Sequence, residues 1–171
     1  MPIHLSVADY DRDWPLLRRL FSDTARLDLF EGPYKNDPAC YIVKAAEGGT
    51  ATVVGASVWF IHSSTQTAVS SNAGPTQRPH VYLVATAAIS NSWAARATQL
   101  LLQWGVNRAD SLGLEVWTYT AASHTEMFRT LGFENIEEIL TESESICSMR
   151  RPAVPNRVVH DGQYSNTEGF W

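Results

Sequence analysis

The chain has 171 residues, 44% of them hydrophobic, and a formal net charge of −5 at pH 7. That length fits one domain with its own core, and that composition excludes a disordered chain. An acidic balance with no basic cluster argues against nucleic acid or an anionic membrane surface as partner, and no apolar run approaches the roughly 20 residues that span a bilayer.

Asp9, Asp11 and Asp13 come early and no apolar segment precedes them, so no signal peptide is expected and a cytoplasmic location is. Cys40 and Cys147 are expected as buried free thiols in strands. No Cys/His cluster has metal-ligand spacing, so no metal is expected.

Ile3 to Val7 alternates apolar and polar residues, as a half-buried strand does. Asp9, Asp11 or Asp13 can cap the helix that follows, and Trp14-Pro15 suits a helix start. Trp14, Leu17, Leu20 and Phe21 then share one face. Asp23 to Phe30 reads as a second helix that Glu31-Gly-Pro33 ends, and Tyr34 to Ala39 as a loop. Cys40 to Ala46 and Thr52 to Ile61 form a hairpin around Gly48-Gly49. His62 to His80 is a long polar linker, either a surface loop or a lid.

Val81 to Ala88 is an uncharged strand. Ser90-Asn91-Ser92 supplies helix-capping residue types, and Trp93 to Asp110 is helical, with Ala97, Leu100, Leu101 and Trp104 as its apolar stripe. Ser111-Leu112-Gly113 stops it, and Leu114 to Thr120 is a second apolar strand. Strand, crossover helix and strand make a βαβ unit, whose helix start suits an anion. Ser123 to Leu131 is a short helix ending at Gly132. Phe133 to Leu140 is a strand broken by Glu134, Glu137 and Glu138, and Ile146 to Met149 closes the sheet. Residues 1–151 therefore read as one domain. Residues 152–171, with Val158-Val159-His160 and Phe170-Trp171 as apolar islands, read as a tail that docks on it or stays disordered.

Trp104-Gly105, Arg108-Ala109-Asp110, Leu112-Gly113-Leu114 and Leu131-Gly132-Phe133-Glu134 fall in an order and spacing that resembles a GNAT-type acyltransferase of the fungal small-molecule sort. The resemblance implies an α/β (α+β) fold. Its central sheet would be mixed, mostly antiparallel, of six to seven strands, flanked by about four helices, with the last strands splaying from the main sheet. The implied activity is acyl-CoA-dependent N-acyl transfer to a small-molecule amine, by a monomer or homodimer using acetyl-CoA or another acyl-CoA. The backbone of Ala87 and Ala88 would meet the pantetheine arm. The family's Gln/Arg-x-x-Gly-x-Gly/Ala pyrophosphate cradle falls on Trp93, Ala94, Ala95, Arg96, Ala97 and Thr98. Arg96 and Thr98 stand where the glycines would be, and Trp93 replaces the leading polar residue. Two outcomes stay open: Arg96 pairs with a phosphate, or Arg96 and Thr98 fill the cradle and exclude CoA.

The family's strand carboxylate has no counterpart in Val81 to Ala88. His80 and His62 are the nearest candidate bases, with an ordinary pKa of about 6.5 that suits the task; the alternative for each is a surface-loop histidine. Phe128 stands where the family has a tyrosine acid, so Tyr119 or Tyr82 would have to stand in. His124, at the start of the short helix, is a further candidate. Trp14, Phe30, Tyr34, Trp59, Tyr82 and Trp117 are candidates to line an acceptor pocket, with core packing as the other reading of each. Three altered features leave two other functions open. One is a CoA-independent cyclase, isomerase or decarboxylase of secondary metabolism working in that aromatic pocket, and the other is a non-catalytic binding protein.

Overall fold

The computed structural model describes residues 2–22, 35–49, 52–63, 78–90 and 92–155. Within them the elements run β1 (Ile3–Val7), α1 (Tyr10–Leu20), β2 (Cys40–Glu47), β3 (Val53–His62), β4 (His80–Ala88), α2 (Ala94–Leu112), β5 (Glu115–Ala121), a 3-10 turn (Ala122–His124), α3 (Thr125–Arg129), β6 (Glu134–Leu140) and β7 (Ser145–Arg151). Seven strands form one sheet in the order β1-β2-β3-β4-β5-β7-β6. Every neighbouring pair is antiparallel except β4 with β5. This is the mixed, mostly antiparallel sheet that the resemblance implies, with three α-helices among the described residues. The predicted helix from Asp23 to Phe30, Tyr34, residues 64–77 and the tail beyond 155 lie outside them.

Two cores sandwich the sheet. On one face α2 sets Leu101, Leu102 and Val106 against Trp59, Val81, Leu83 and Val116. On the other, α1 sets Trp14, Leu17 and Phe21 against Ile42, Val58 and Phe60. The buried stripe of α2 is Ala97, Leu101, Leu102, Gly105, Val106 and Ala109. It is broader than the predicted one, and Leu100 and Trp104 are half-buried at its margins. Gly105 is dictated by contact, because a Cβ there would overlap the Trp59 ring.

Helix α1 begins at Tyr10, before the Trp14-Pro15 start expected from sequence. Asp9 is its cap, accepting the Arg12 N–H at 3.0 Å, while Asp13 accepts the Asp9 N–H at 2.9 Å. This reciprocal capping, four residues across, fixes the helix start more strongly than Pro15 does. Pro15 lies inside the helix, where it forgoes one internal hydrogen bond. Strand β6 is continuous rather than broken by its glutamates. It is an edge strand, exposed throughout, with a bulge between Asn135 and Glu137, and charges belong on such an edge. Arg151 ties the far end together. Its guanidinium reaches Asp110 on α2 at 2.5 and 3.0 Å and the Leu131 carbonyl at 2.9 Å. Cys40 and Cys147 are free thiols, Cys147 buried and Cys40 half-buried.

Candidate active site

β4 and β5 pair only over His80 to Leu83 and Glu115 to Thr118. Beyond that, β4 continues to Ala88 beside β3, and β5 continues to Ala121 beside β7. The two strands therefore part past Leu83 and Thr118, and their facing edges leave each other unpaired. The parting falls here, in mid-sheet, with β6 and β7 carried on the β5 side. Its local cause is a bulge. Opposite β3, Trp59 faces Leu83 and Val58 faces Ala85, so Val84 is an extra residue. A bulge bends its strand and raises the local twist, here at the residue where β4 leaves β5. At the crotch the Thr118 hydroxyl donates to the Leu83 carbonyl at 3.1 Å. The opening lies at the carboxyl ends of two parallel strands, the usual place for a ligand in such a sheet. Small residues, Ala85, Ala87 and Ala88, line its β4 wall.

Helix α2 starts just past this wall. Its N-cap is Trp93, with no side-chain capping bond and no acidic residue in the first turn. The expected caps Ser90 and Ser92 do not act as such, and Asn91 lies outside the described residues. The first internal bond runs from the Ala97 N–H to the Trp93 carbonyl, 2.8 Å. The N–H groups of Ala94, Ala95 and Arg96 thus have no intrahelical acceptor. Ala97 is buried in the core, Trp93, Ala94 and Thr98 are half-buried, and Ala95 and Arg96 are exposed. The Arg96 side chain stands in solvent and has no ion-pair partner among the described residues.

The α1 face of β3, β4 and β5, leading up to the fork, carries the titratable groups. Tyr82 and Tyr119 meet edge to face at 6.4 Å. Burial, then the neighbouring Tyr119, pushes the Tyr82 phenol up to about 12, while Tyr119 is 42% exposed. Trp117 donates its indole N–H to Glu115 at 2.8 Å and lies under the Arg150 guanidinium, 5.9 Å away. His80 is two residues before Tyr82 on the same strand face. It sits directly across from His62 in the β3–β4 register. Neither is a surface-loop histidine: β3 runs to His62, β4 starts at His80, and they are 4% and 2% exposed. Desolvation, then the charge of His80, holds the His62 pKa below its ordinary value, with Asp37 opposing.

Other predicted residues are placed elsewhere. Trp59 is wholly buried on the α2 side, its indole N–H donating to Ser57 Oγ at 2.8 Å, so it packs the core and lines no acceptor pocket. Trp14 is 7% exposed and stacks on Tyr10 at 4.9 Å within the α1 core. Phe128 is buried edge to face with Phe133 at 5.3 Å. His124 is exposed in the 3-10 turn beyond β5. Phe30 and Tyr34 lie outside the described residues. The structure thus brings His62, His80, Tyr82, Trp117 and Tyr119 to one face, with Ala87, Ala88 and residues 93–98 along the opening. Val84, Thr118 and Arg150 were not anticipated. An uncharged run such as Val81–Ala88 reads the same with or without a bulge, because the extra residue is defined only against β3.

A shallow cavity of about 460 Å³ lined by Val7, Tyr41, Trp104, Asn107, Arg108 and Ser111 lies away from the fork and contains none of the predicted site residues. Among the described residues no three of His, Cys, Asp or Glu cluster as a metal would require, and no helix is long and apolar enough to cross a membrane.

No family model and no curated protein matches the chain. Solved structures do. A structure described as histone acetyltransferase HPA2 and related acetyltransferase, from Corynebacterium glutamicum, superposes with a TM-score of 0.72 at 17% identity, over 92% of this chain and all of that one. The aminoglycoside 6'-N-acetyltransferase from Enterococcus faecium gives 0.61 at 15% identity, over 89% of this chain and 98% of that one. Arabidopsis thaliana NAA60, solved in complex with acetyl-CoA, gives 0.62 at 11% identity, over 87% of this chain and 96% of that one. By superposition, the chain has the fold of the GNAT acetyltransferases.

Proposed function

We propose that the protein is an acyl-CoA-dependent N-acyltransferase acting on a small-molecule amine. The observation that carries this reading is the β4–β5 fork opened by the Val84 bulge beside an uncapped helix start. The residues present fit acyl-CoA. An extended arm can pair with the free β4 edge at Ala85 to Ala88, as an added strand would. The N–H groups of Ala94, Ala95 and Arg96 face an anion without competition from a side-chain cap or an acid. Arg96, exposed and unpaired with any described carboxylate, adds a guanidinium for a phosphate, so its presence in place of a glycine favours phosphate pairing over a filled cradle.

When bound, the thioester supplies an activated acyl carbon. The protein's own contribution is to align the amine with it and to move protons. In this reading His80, two residues along β4 from Tyr82, acts as base. Tyr119 and Tyr82 offer phenolic O–H donors at the crotch, and Phe128 cannot serve. Trp117 and the two tyrosines form an aromatic wall for the acceptor. A reducing, intracellular setting belongs to the same reading and keeps Cys40 and Cys147 as thiols.

The test is a thermal-shift titration with acetyl-CoA, followed by thiol-release assays over a panel of amines. Ligand at 100 times its dissociation constant adds about 2.7 kcal/mol of stability, a shift of several degrees. Saturable stabilisation with amine-dependent thiol release supports the proposal. No shift at millimolar acetyl-CoA overturns it and leaves the CoA-independent alternative on the same aromatic wall.

A further inference from the structure

We propose that His62 is a positioning residue: with His80 it forms a buried imidazole pair that takes up one proton and resists a second, so that the neutral resting pair presents His80 Nε2 to the proton of the acceptor amine. The pair stands on geometry; its use in acyl transfer rests on the function proposed above.

The two rings lie 5.0 Å apart at 43°, across the last register pair of β3 and β4. His80 Nδ1 is 2.6 Å from the Arg78 carbonyl. A carbonyl oxygen only accepts, so this nitrogen carries the hydrogen and the lone pair of the neutral ring is on Nε2. That Nε2 is buried without a partner, as are both nitrogens of His62. His62 is held in place by stacking on Phe60 at 5.9 Å and 9°. Unpartnered buried polar atoms are costly and rare. Three at one point, on two rings each more than nine-tenths buried, mark a place where a ligand's N–H groups or an incoming proton would find partners.

Two imidazolium rings this close in a poorly hydrated site repel, so the pair takes one proton and resists the second. The surrounding groups agree with a single charge. Asp37 favours it on His62. The Cys40 thiol, pushed up to about 12 by burial and then by Asp37, stays neutral, as does the Tyr82 phenol. Glu115, opposite His80 on β5, accepts from Trp117. Arg78 contributes its carbonyl from the segment entering β4. In the reaction His80 Nε2 takes one proton from the acceptor ammonium. The nitrogen pair so freed forms the C–N bond as the C–S bond breaks, and the second N–H proton leaves on the thiol. The proton on the imidazole pair then returns to solvent.

The experiment is an NMR pH titration of the full chain labelled with ¹⁵N-histidine, without substrate, in wild type, His62→Phe, His62→Asn and His80→Gln. The expected wild type shows His80 as the Nδ1–H tautomer and the two rings titrating in separate, mutually dependent steps. In His80→Gln the His62 titration moves upward in pH, because the neighbouring charge is gone. In His62→Phe and His62→Asn the acid limb of kcat/KM for the amine collapses to a single step while KM for acyl-CoA is unchanged. Finding His80 as the Nε2–H tautomer, or a His62 titration identical in wild type and His80→Gln, overturns the proposal. Coupled titrations in a protein that acylates no amine would uphold the pair and remove the acyltransferase reading instead. If both His62 variants fail to fold, the His80→Gln titration decides alone.

Discussion

Thr118 donates its hydroxyl to the Leu83 carbonyl at 3.1 Å, and this bond lies at the last residue pair that β4 and β5 share. Both residues are 2% exposed. Thr118→Val keeps the shape and β-branching but leaves the Leu83 carbonyl short of a partner, at a cost of about 1–3 kcal/mol. The expected result is a lower denaturant midpoint with an unchanged slope, and a raised KM for acyl-CoA because the crotch that sets the fork is loosened. An unchanged midpoint would show that the bond does not hold the strands together there.

Gly105 sits in the middle of α2, where glycine costs roughly 1 kcal/mol relative to alanine. The Trp59 ring, wholly buried, occupies the space a Cβ would need. Gly105→Ala should therefore destabilise despite its better helix propensity, by about 1–3 kcal/mol or more, through overpacking against a large ring that has no room to turn. Pairing it with Trp59→Leu should recover part of the loss. A neutral or stabilising Gly105→Ala would contradict the packing of α2 on the sheet.

Much of the scaffold was legible because side-chain period reports local structure. Ile3 to Val7 alternates and is β1; the run from Val81 to Ala88 is β4 but for His80; Gly113 ends α2 in a left-handed conformation. The site was less legible, for reasons that are relational. The Val84 bulge exists only against the register of β3. His62 and His80 are separated by a polar stretch that reads as a loop around them, and only strand pairing sets their rings together. Trp59 gave no sign of its face, because from Val54 to His62 every residue of β3 is buried and alternation carries no contrast. Ser90 and Ser92 have capping chemistry, yet the chain enters α2 through Trp93.

A cation in the first turn of a helix opposes the macrodipole by roughly 0.3–1 kcal/mol, so Arg96 stands where it costs stability. Arg96→Ala should leave the melting temperature equal or slightly higher. The same change should weaken acyl-CoA binding about 5- to 10-fold, the loss of one charge-assisted contact to a phosphate, with kcat nearly unchanged. Arg96→Glu should weaken it further and flatten the salt dependence, because added salt then screens a repulsion instead of an attraction. A lower melting temperature with unaltered KM would make Arg96 a structural residue and remove it from the site.

Asp13 joins α1 to β2, taking Lys44 Nζ at 2.6 Å, Arg12 Nε at 3.2 Å and the Asp9 N–H at 2.9 Å. Burial alone would raise its pKa, but the hydrogen bonds from Arg12 and Lys44 outweigh that and hold it down to about 2. An unfolded aspartate titrates near 3.9, so the folded state binds this proton less readily than the unfolded one. The stabilisation is full above about pH 4 and is lost as pH falls through about 2. With Arg12 largely in solvent, about 2 kcal/mol is a discounted estimate of its size. Asp13→Asn retains an oxygen for the Asp9 N–H and removes the charge, leaving the half-buried Lys44 ammonium unpaired. Unfolding free energies measured from pH 7 down to pH 2 should therefore show the variant weaker by about 2 kcal/mol at neutral pH and converging with wild type at the acid end. Parallel curves across that range would mean the Asp13 charge contributes nothing, and that the Asp9 N–H contact alone anchors the start of α1.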